Sequence, residues 1–342
     1  MISSEAWLFL IALFTLPVAV AAIRSRKPGV TSARSRGSSA LIINGEALAS
    51  GVETHGSGRL DAVFRNIDDL GFSIETNRVR ISETVEGRDL ADFGLVQVAA
   101  YPRPTAALIN ALVDYLAHHK VPAVNMAGIG APTKLFQYVR FAQAGLAVPK
   151  TVYLSTGALA ESFLDLAQRL ELPFILKALS ASGGRYNFLV RTEREFRNHL
   201  YSQDHIRVCF LAQQFIANDS TYRVLVLGGE VQLVMRRSWA PGTHLSNTEQ
   251  GAAAILVEPA AFAAAAKRMA IQAARLIGSE VAGVNLIQDW ATQRWYVLDA
   301  NSNPAMATGL FVEDKLAAYC SYLHKRLGIA EPAGTSLGWN AP

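Results

Sequence analysis

Residues 222–237 read YRVLVLGGEVQLVMRR, two apolar runs on either side of a Gly-Gly pair. Glycine enters the left-handed backbone of a tight turn without strain, so this pattern predicts an antiparallel hairpin and commits the chain to a sheet. Around it, strands and helices alternate from Ser39 onward, which predicts an α/β chain. The first stretch reads as strand 40–44, helix 60–70, strands 72–79 and 95–99, helix 106–118 and a short strand 121–125, with 50–58 as a loop. A helix over 132–144 follows, ending at Gly145. Then come strand 151–154, helix 158–170, strands 174–178 and 188–191, a helix from Glu193 and a long strand 208–216. Beyond the hairpin lie strand 251–257, helix 260–277, strands 281–288 and 294–299, and a last helix 312–327.

The N-terminus is different in kind. Residues 6–23 (AWLFLIALFTLPVAVAAI) carry no charge, and as a helix they span about 27 Å, near the thickness of a bilayer core. Arg24, Arg26 and Lys27 follow the run instead of preceding it, which argues against a cleaved signal and for a basic, cytoplasmic side. The expectation is an inner-membrane anchor at 1–23 and a basic linker at 24–38. A buried or interfacial helix is the alternative, since Pro17 interrupts the run. Past residue 38 the chain holds as many acids as bases, so the net charge of +4 belongs to this arm. That argues against a nucleic-acid partner, which calls for a basic face on the folded body. Cys209 and Cys320 sit in apolar segments far apart and read as reduced, buried thiols.

Four segments could carry chemistry. Lys134 stands near the start of a helix, and Lys177 ends the strand PFILK ahead of the loop LSASGGRY. Two lysines from different elements can neutralise separate phosphates, and Ser182, Gly183 and Gly184 can fold their amides over them. At AQQFI, a strand end can offer its backbone to a flat heterocycle. In YVLDANSNPAM, Asp299 and Asn301 lie two apart on a strand and so face one side, as oxygen donors suited to Mg²⁺, and Asn285 on the preceding strand offers a third. Taken singly, each of these has a plainer reading as a solvated lysine, a core strand or an Asx-turn.

In this order and spacing, the segments resemble the ATP-grasp superfamily, and most closely its RimK-type branch of glutamate ligases. The resemblance runs from about residue 133 to 304 and includes KLFQYVRFAQAGLAVPKT, PFILK, QQFI, the hairpin, LSNTEQGA and GVNLI…VLDANSNP. It implies a small wound α/β domain (39–128), then two ATP-grasp subdomains (129–216 and 217–330) and a tail (331–342). It implies that Lys134 and Lys177 contact phosphates and that Gln214, Phe215 and Ile216 form the adenine hinge. It also implies Arg237, with Arg236 as the alternate, near the γ-phosphate, Asn247 facing the nucleotide, and Asp299, Asn301 and Asn285 as the magnesium set. The chain departs from the family pattern in having Asn285 for an aspartate, Asp299 for a glutamate, Gln214 for an acid, Thr221 for an aspartate, and Ala181 and Tyr186 for loop glycines.

The implied activity is an ATP- and Mg²⁺-dependent carboxylate–amine ligase working through an acyl phosphate. Its partners would be a small carboxylate and amine, or a peptide or protein acceptor, in a body that could self-associate. Two rivals stand beside it: a degenerate nucleotide-binding domain acting as sensor or partner-binding subunit, and a membrane-associated scaffold.

Overall fold

The computed structural model describes residues 37–100, 106–126, 133–181, 184–202, 208–239, 244, 246 and 251–330. Its first sheet centres on β1 (Ser39–Ile43), whose five residues are all buried, as suits a strand covered on both faces. Helix α1 (Ala49–His55) leads to β2 (Asp61–Arg65), parallel to β1. A hairpin of β3 (Leu70–Glu75) and β4 (Arg78–Glu83) then stands apart as its own two-stranded sheet. On the other side of β1 come β5 (Leu95–Val98), helix α2 (Ala106–His118) and β6 (Ala123–Val124), giving the parallel order β2-β1-β5-β6.

Three sequence expectations fail here. Residues 50–58 are not a loop: most of them form α1, which buries Val52 in the core that also holds Leu316 and Tyr319. The helix expected over 60–70 is strand β2 followed by a single 3-10 turn. Its apolar spacing suits a helix, but Val63 and Phe64 pair along β1, and Asn66 caps the turn reciprocally with Asp69. The strand expected over 72–79 is a hairpin that reverses at Asn77, which takes the left-handed φ of 62°.

At the end of β4, Glu83 is buried and accepts from Arg65 Nε at 2.8 Å, and from the amides of Val85, Glu86 and Arg88. Burial pushes this carboxyl up, but those bonds and the Arg65 charge outweigh it and hold it below the ordinary carboxylate value.

The second unit of structure opens with α3 (Lys134–Gln143), capped by the Thr133 side chain. It closes at Gly145, φ 77°. Then follow β7 (Thr151–Val152), α4 (Thr156–Ala160), α5 (Phe163–Leu170), β8 (Phe174–Ala178), β9 (Asn187–Val190), α6 (Glu193–Tyr201) and β10 (Phe210–Gln214). The single helix expected over 158–170 is two, and the long strand 208–216 is shorter than its apolar run. The strands form an antiparallel sheet, β7-β10-β8-β9, with a core of its own around Phe163, Phe174 and Phe196, whose ring centroids lie 5.6–6.1 Å apart. Cys209, expected to be buried, is exposed at the entry to β10; Cys320 is buried.

The third sheet is antiparallel in the order β13-β12-β11-β14-β15. The predicted hairpin is β11 (Ser220–Leu227) and β12 (Glu230–Ser238), turning at Gly228 (φ 60°) and Gly229 (φ 83°). The other strands are β13 (Ala254–Val257), β14 (Val281–Gln288) and β15 (Trp295–Asn301). Helix α7 (Ala264–Leu276) lies on one face, where the small buried Ala266, Ala270, Ala273 and Ala274 allow close approach, and Phe141 of α3 joins the same core.

The last helix, α8 (Val312–Leu327), packs Leu316, Tyr319 and Leu323 into a core shared by Leu225, Leu227 and Leu233 of the hairpin and by Ala40, Ile42 and Leu95 of the parallel sheet. Asn125, just past β6, reinforces that union. Its Nδ2 donates to the carbonyls of Val281 and Ser302, both at 2.8 Å, and its Oδ1 accepts from Val281 N at 3.1 Å. Among the described residues no helix is long and apolar enough to cross a membrane; the apolar run 6–23 lies outside them.

Candidate functional site

Three neighbouring strands place Arg223 (β11), Asn285 (β14) and Asp299 (β15) directly abreast. Residues opposite one another in an antiparallel sheet share a face, so these side chains leave the same side. Arg237 joins them from β12, because a bulge between Leu225 and Val226 sets Arg237 opposite Thr221. Its Nη2 donates to Asn285 Oδ1 at 2.9 Å, and Asn285 Nδ2 donates to Asp299 Oδ1 at 2.6 Å. Arg236, the alternate, takes the other face and pairs with Asp219 at 2.9 Å. That pairing leaves Asp219 engaged away from Thr221, whose hydroxyl meets Ser246 at 2.5 Å.

Asn301, two residues beyond Asp299, is exposed, and its Oδ1 accepts from Asn303 N at 2.9 Å, an Asx-turn that leaves one lone pair. Arg223 lies over Gly283 and donates to its carbonyl at 3.0 Å. A Cβ at Gly283 would come within 2.4 Å of that guanidinium, so the approach requires glycine.

The two lysines come from different elements, Lys134 from α3 and Lys177 from β8. Lys177 is buried at 7% exposure on β8, and its Nζ donates to Tyr138 Oη at 2.5 Å. Tyr138, on α3, donates in turn to Leu298 O at 2.6 Å, the residue before Asp299. Lys134 Nζ reaches the carbonyls of Ala178 (3.2 Å) and Ala181 (2.5 Å), so it braces the loop that follows Lys177. Also on α3, Gln137 donates to Ala300 O and accepts from Ala300 N, both at 2.8 Å.

The electrostatics are lopsided. Burial pulls the Lys177 ammonium down to about 8, against the opposing pull of Asp299. Burial, and then the neighbouring Arg223 charge, brings Arg237 to about 10, with Asp299 opposing. Lys134 and Arg223 are lowered by burial as well, and Asp299 raises each of them. Arg237 Nε is buried with no hydrogen-bond partner among the described residues. A buried, orphaned donor among cations fits an incoming anion such as a phosphate. For a cation the donors are Asp299 and Asn301; no group of three or more His, Cys, Asp or Glu gathers among the described residues. One carboxylate and one amide oxygen fit Mg²⁺, which keeps waters and phosphate oxygens for its other positions.

The segment expected to form the hinge starts at Gln214, the last residue of β10. Gln214 N donates to Lys150 O at 2.8 Å, Phe215 stands 6.3 Å edge-to-face from Trp239, and Ile216 is buried. Gly184, in the loop expected to hold phosphates, takes a φ of 74°. Ser182, Gly183 and Asn247 lie outside the described residues.

Sequence reasoning missed Gln137, Tyr138, Arg223 and Lys315 as members of this neighbourhood. Lys315 is buried in the first turn of α8, where it donates to Ala305 O (2.9 Å) and Thr308 O (2.6 Å) and so holds the segment after Asn301. Gln137 and Tyr138 carried one signal: a polar and a phenolic side chain one turn after Lys134 on an amphipathic helix. Lys315 carried none.

A model of the RimK-like ATP-grasp domain matches residues 132–315. A probable alpha-L-glutamate ligase 2 of Hahella chejuensis is 29% identical over 176 residues, covering 51% of this chain and 55% of its own length. A probable alpha-L-glutamate ligase of Shewanella pealeana is 28% identical over 202 residues, 57% of this chain and 42% of that protein. The chain thus spans about half the length of these curated relatives. Among solved structures, the ATP-grasp ligase PsnB complexed with a minimal precursor superposes with a TM-score of 0.63 at 14% identity, over 84% of this chain and 98% of that one, a likeness of fold. By the extent of the domain match, more than half its length, the chain belongs to the RimK-like ATP-grasp family.

Proposed function

We propose that the chain is an ATP-dependent ligase that joins a carboxylate to an amine. The observation that carries this reading is the convergence of Lys177, Arg223 and Arg237 on one half-buried carboxylate, Asp299, with an unpaired guanidinium donor among them. The relatives named as glutamate ligases support an amino acid as one substrate, and the fold neighbour solved with a precursor supports a peptide as the other.

In this reading adenine lies along Gln214, Phe215 and Ile216, while Lys134, Lys177 and the loop of Ser182, Gly183 and Gly184 hold the phosphates, with Asn247 facing them. The substrate carboxylate attacks the γ-phosphorus, the bond to the β,γ-bridging oxygen breaks, and ADP leaves. The amine then adds to the acyl phosphate, loses a proton, and expels inorganic phosphate to give the amide. Arg237 steadies the charge on the transferring phosphoryl group from a fixed position, so little reorganisation is needed at the moment of reaction. Asp299 and Asn301 would hold Mg²⁺, which would supply charge neutralisation on the phosphates.

The domain scheme 39–128, 129–216 and 217–330 fits this division of labour, and the apolar run 6–23 would tether the body to a membrane. ADP release with a panel of amino acids and peptides in the presence of Mg²⁺ tests the ligase. Turnover with an amine–carboxylate pair is the expected result. If ATP raises the melting temperature while no mixture turns over, the chain is a nucleotide-binding subunit instead, a reading favoured by the single carboxylate of the site.

A further inference from the structure

Both ends of the Asn285 amide are occupied within the protein. Its oxygen accepts from the Arg237 guanidinium at 2.9 Å, and its nitrogen donates to Asp299 Oδ1 at 2.6 Å. An amide binds a hard cation through oxygen alone, and here that oxygen already faces a fixed positive charge. The register makes the arrangement a property of the sheet, since Arg223, Asn285 and Asp299 lie abreast and the bulge brings Arg237 onto the same face. A second dication would need its own anionic oxygen from the protein, and the row offers a single carboxylate.

We propose that Asn285 is a positioning residue which bridges Arg237 to Asp299, and that the site therefore takes one divalent cation per nucleotide, on Asp299 and Asn301. The inference rests on the nucleotide-binding reading above. Asn285 orients two groups at once: through its oxygen it sets the Arg237 guanidinium, and through its nitrogen it sets the carboxylate. Arg237 supplies fixed positive charge where a second cation would otherwise be drawn. The orphaned Nε of Arg237 stays available to a phosphate oxygen while Nη2 remains on Asn285.

Mn²⁺ serves as the probe, because its free form is counted by electron paramagnetic resonance. The full chain is saturated with a non-hydrolysable ATP analogue and titrated with Mn²⁺. The expected count is about one Mn²⁺ per bound analogue, whereas a count of about two, the number of a two-metal phosphoryl site, would overturn the inference. In Asn285→Asp the bridging N–H is gone and two carboxylates face each other, so the count should rise to about two. A count unchanged in that variant would remove Asn285 as the residue that excludes the second ion. Should that variant not fold, Asn301→Ala provides the check. Its Mn²⁺ affinity in the ternary complex should fall at least about tenfold while metal-free analogue affinity is kept; an unchanged Mn²⁺ affinity counts against the proposal. Failure of the analogue to bind wild type at all, with or without metal, sinks the nucleotide reading itself and is read separately by calorimetry.

Discussion

Gln137 grips the peptide of Ala300 on both sides, donating to its carbonyl and accepting from its amide at 2.8 Å each. Ala300 separates Asp299 from Asn301, so the helix that carries Lys134 also sets the strand that carries both oxygen donors. Gln137→Leu leaves a buried N–H and C=O of Ala300 unpaired. The expected loss is about 2–4 kcal/mol in urea unfolding, together with weaker Mn²⁺ binding in the nucleotide complex. Stability within experimental error of wild type would show that the grip is dispensable.

Lys177 gives the site a pH signature. Its ordinary value is 10.5, and burial brings it to about 8 in the fold. Below pH 8 both the folded and unfolded chains are protonated there and the desolvation penalty is present in full. Between 8 and 10.5 the unfolded chain holds the extra proton, so stability rises with pH. Nucleotide binding runs the opposite way, because phosphate favours the ammonium, and affinity should fall up to about tenfold per pH unit above 8. Lys315, also pulled to about 8 by burial and then by Arg223, titrates in the same window. Calorimetry at several pH values on wild type and Lys177→Met therefore assigns the slope. A slope that survives in the variant would give it to another group.

Gly283→Ala tests Arg223 without touching it. The added Cβ meets the guanidinium at 2.4 Å, and the side chain must swing away. Since the obstacle is the end of a long side chain and not backbone, the fold should hold, with a melting temperature within a few degrees. ADP release should fall by about a hundredfold, the scale for loss of one charge-stabilising group. Undiminished turnover would place Arg223 outside the reaction.

Glu83→Gln should be among the costlier single changes far from the cleft. The carboxylate is 1% exposed, and an amide cannot accept from Arg65 and the amides of Glu86 and Arg88 in the same way. The expected cost is about 2 kcal/mol, because the charge-assisted bonds from Arg65 and the backbone amides are weakened together. The folded carboxyl lies below its ordinary value of 4.5, so its contribution is complete above that pH and lost as pH falls through the folded value. Acid titrations of wild type and variant should converge at low pH; parallel curves would argue that the group does not titrate on unfolding.

The hairpin and most strands of the third sheet were legible because alternation and a Gly-Gly turn are local signals. The choice between Arg236 and Arg237 was not. An unbroken ladder from the turn would set Arg236 opposite Thr221, and the bulge after Leu225 shifts the pairing by one residue. Residues 60–70 misled because their apolar spacing satisfies a helix and a strand-plus-turn alike, and only pairing with β1 decides. Thr221, Asn285 and Asp299 were readable as departures from a pattern. That Asn285 has both amide ends engaged depends on neighbours 48 and 14 residues away along the chain.

Helix α8 belongs to two sheets at once, and Asn125 pins the same pair of layers. The sheet β7-β10-β8-β9 has a core that includes neither. Mechanically, the parallel sheet and the five-stranded sheet make a single anvil, and the segment carrying Lys177 is the hammer. Lys134 stands on α3, which Gln137 and Tyr138 bind to β15, and so is built into the anvil; of the two lysines only Lys177 stands on the separately cored sheet.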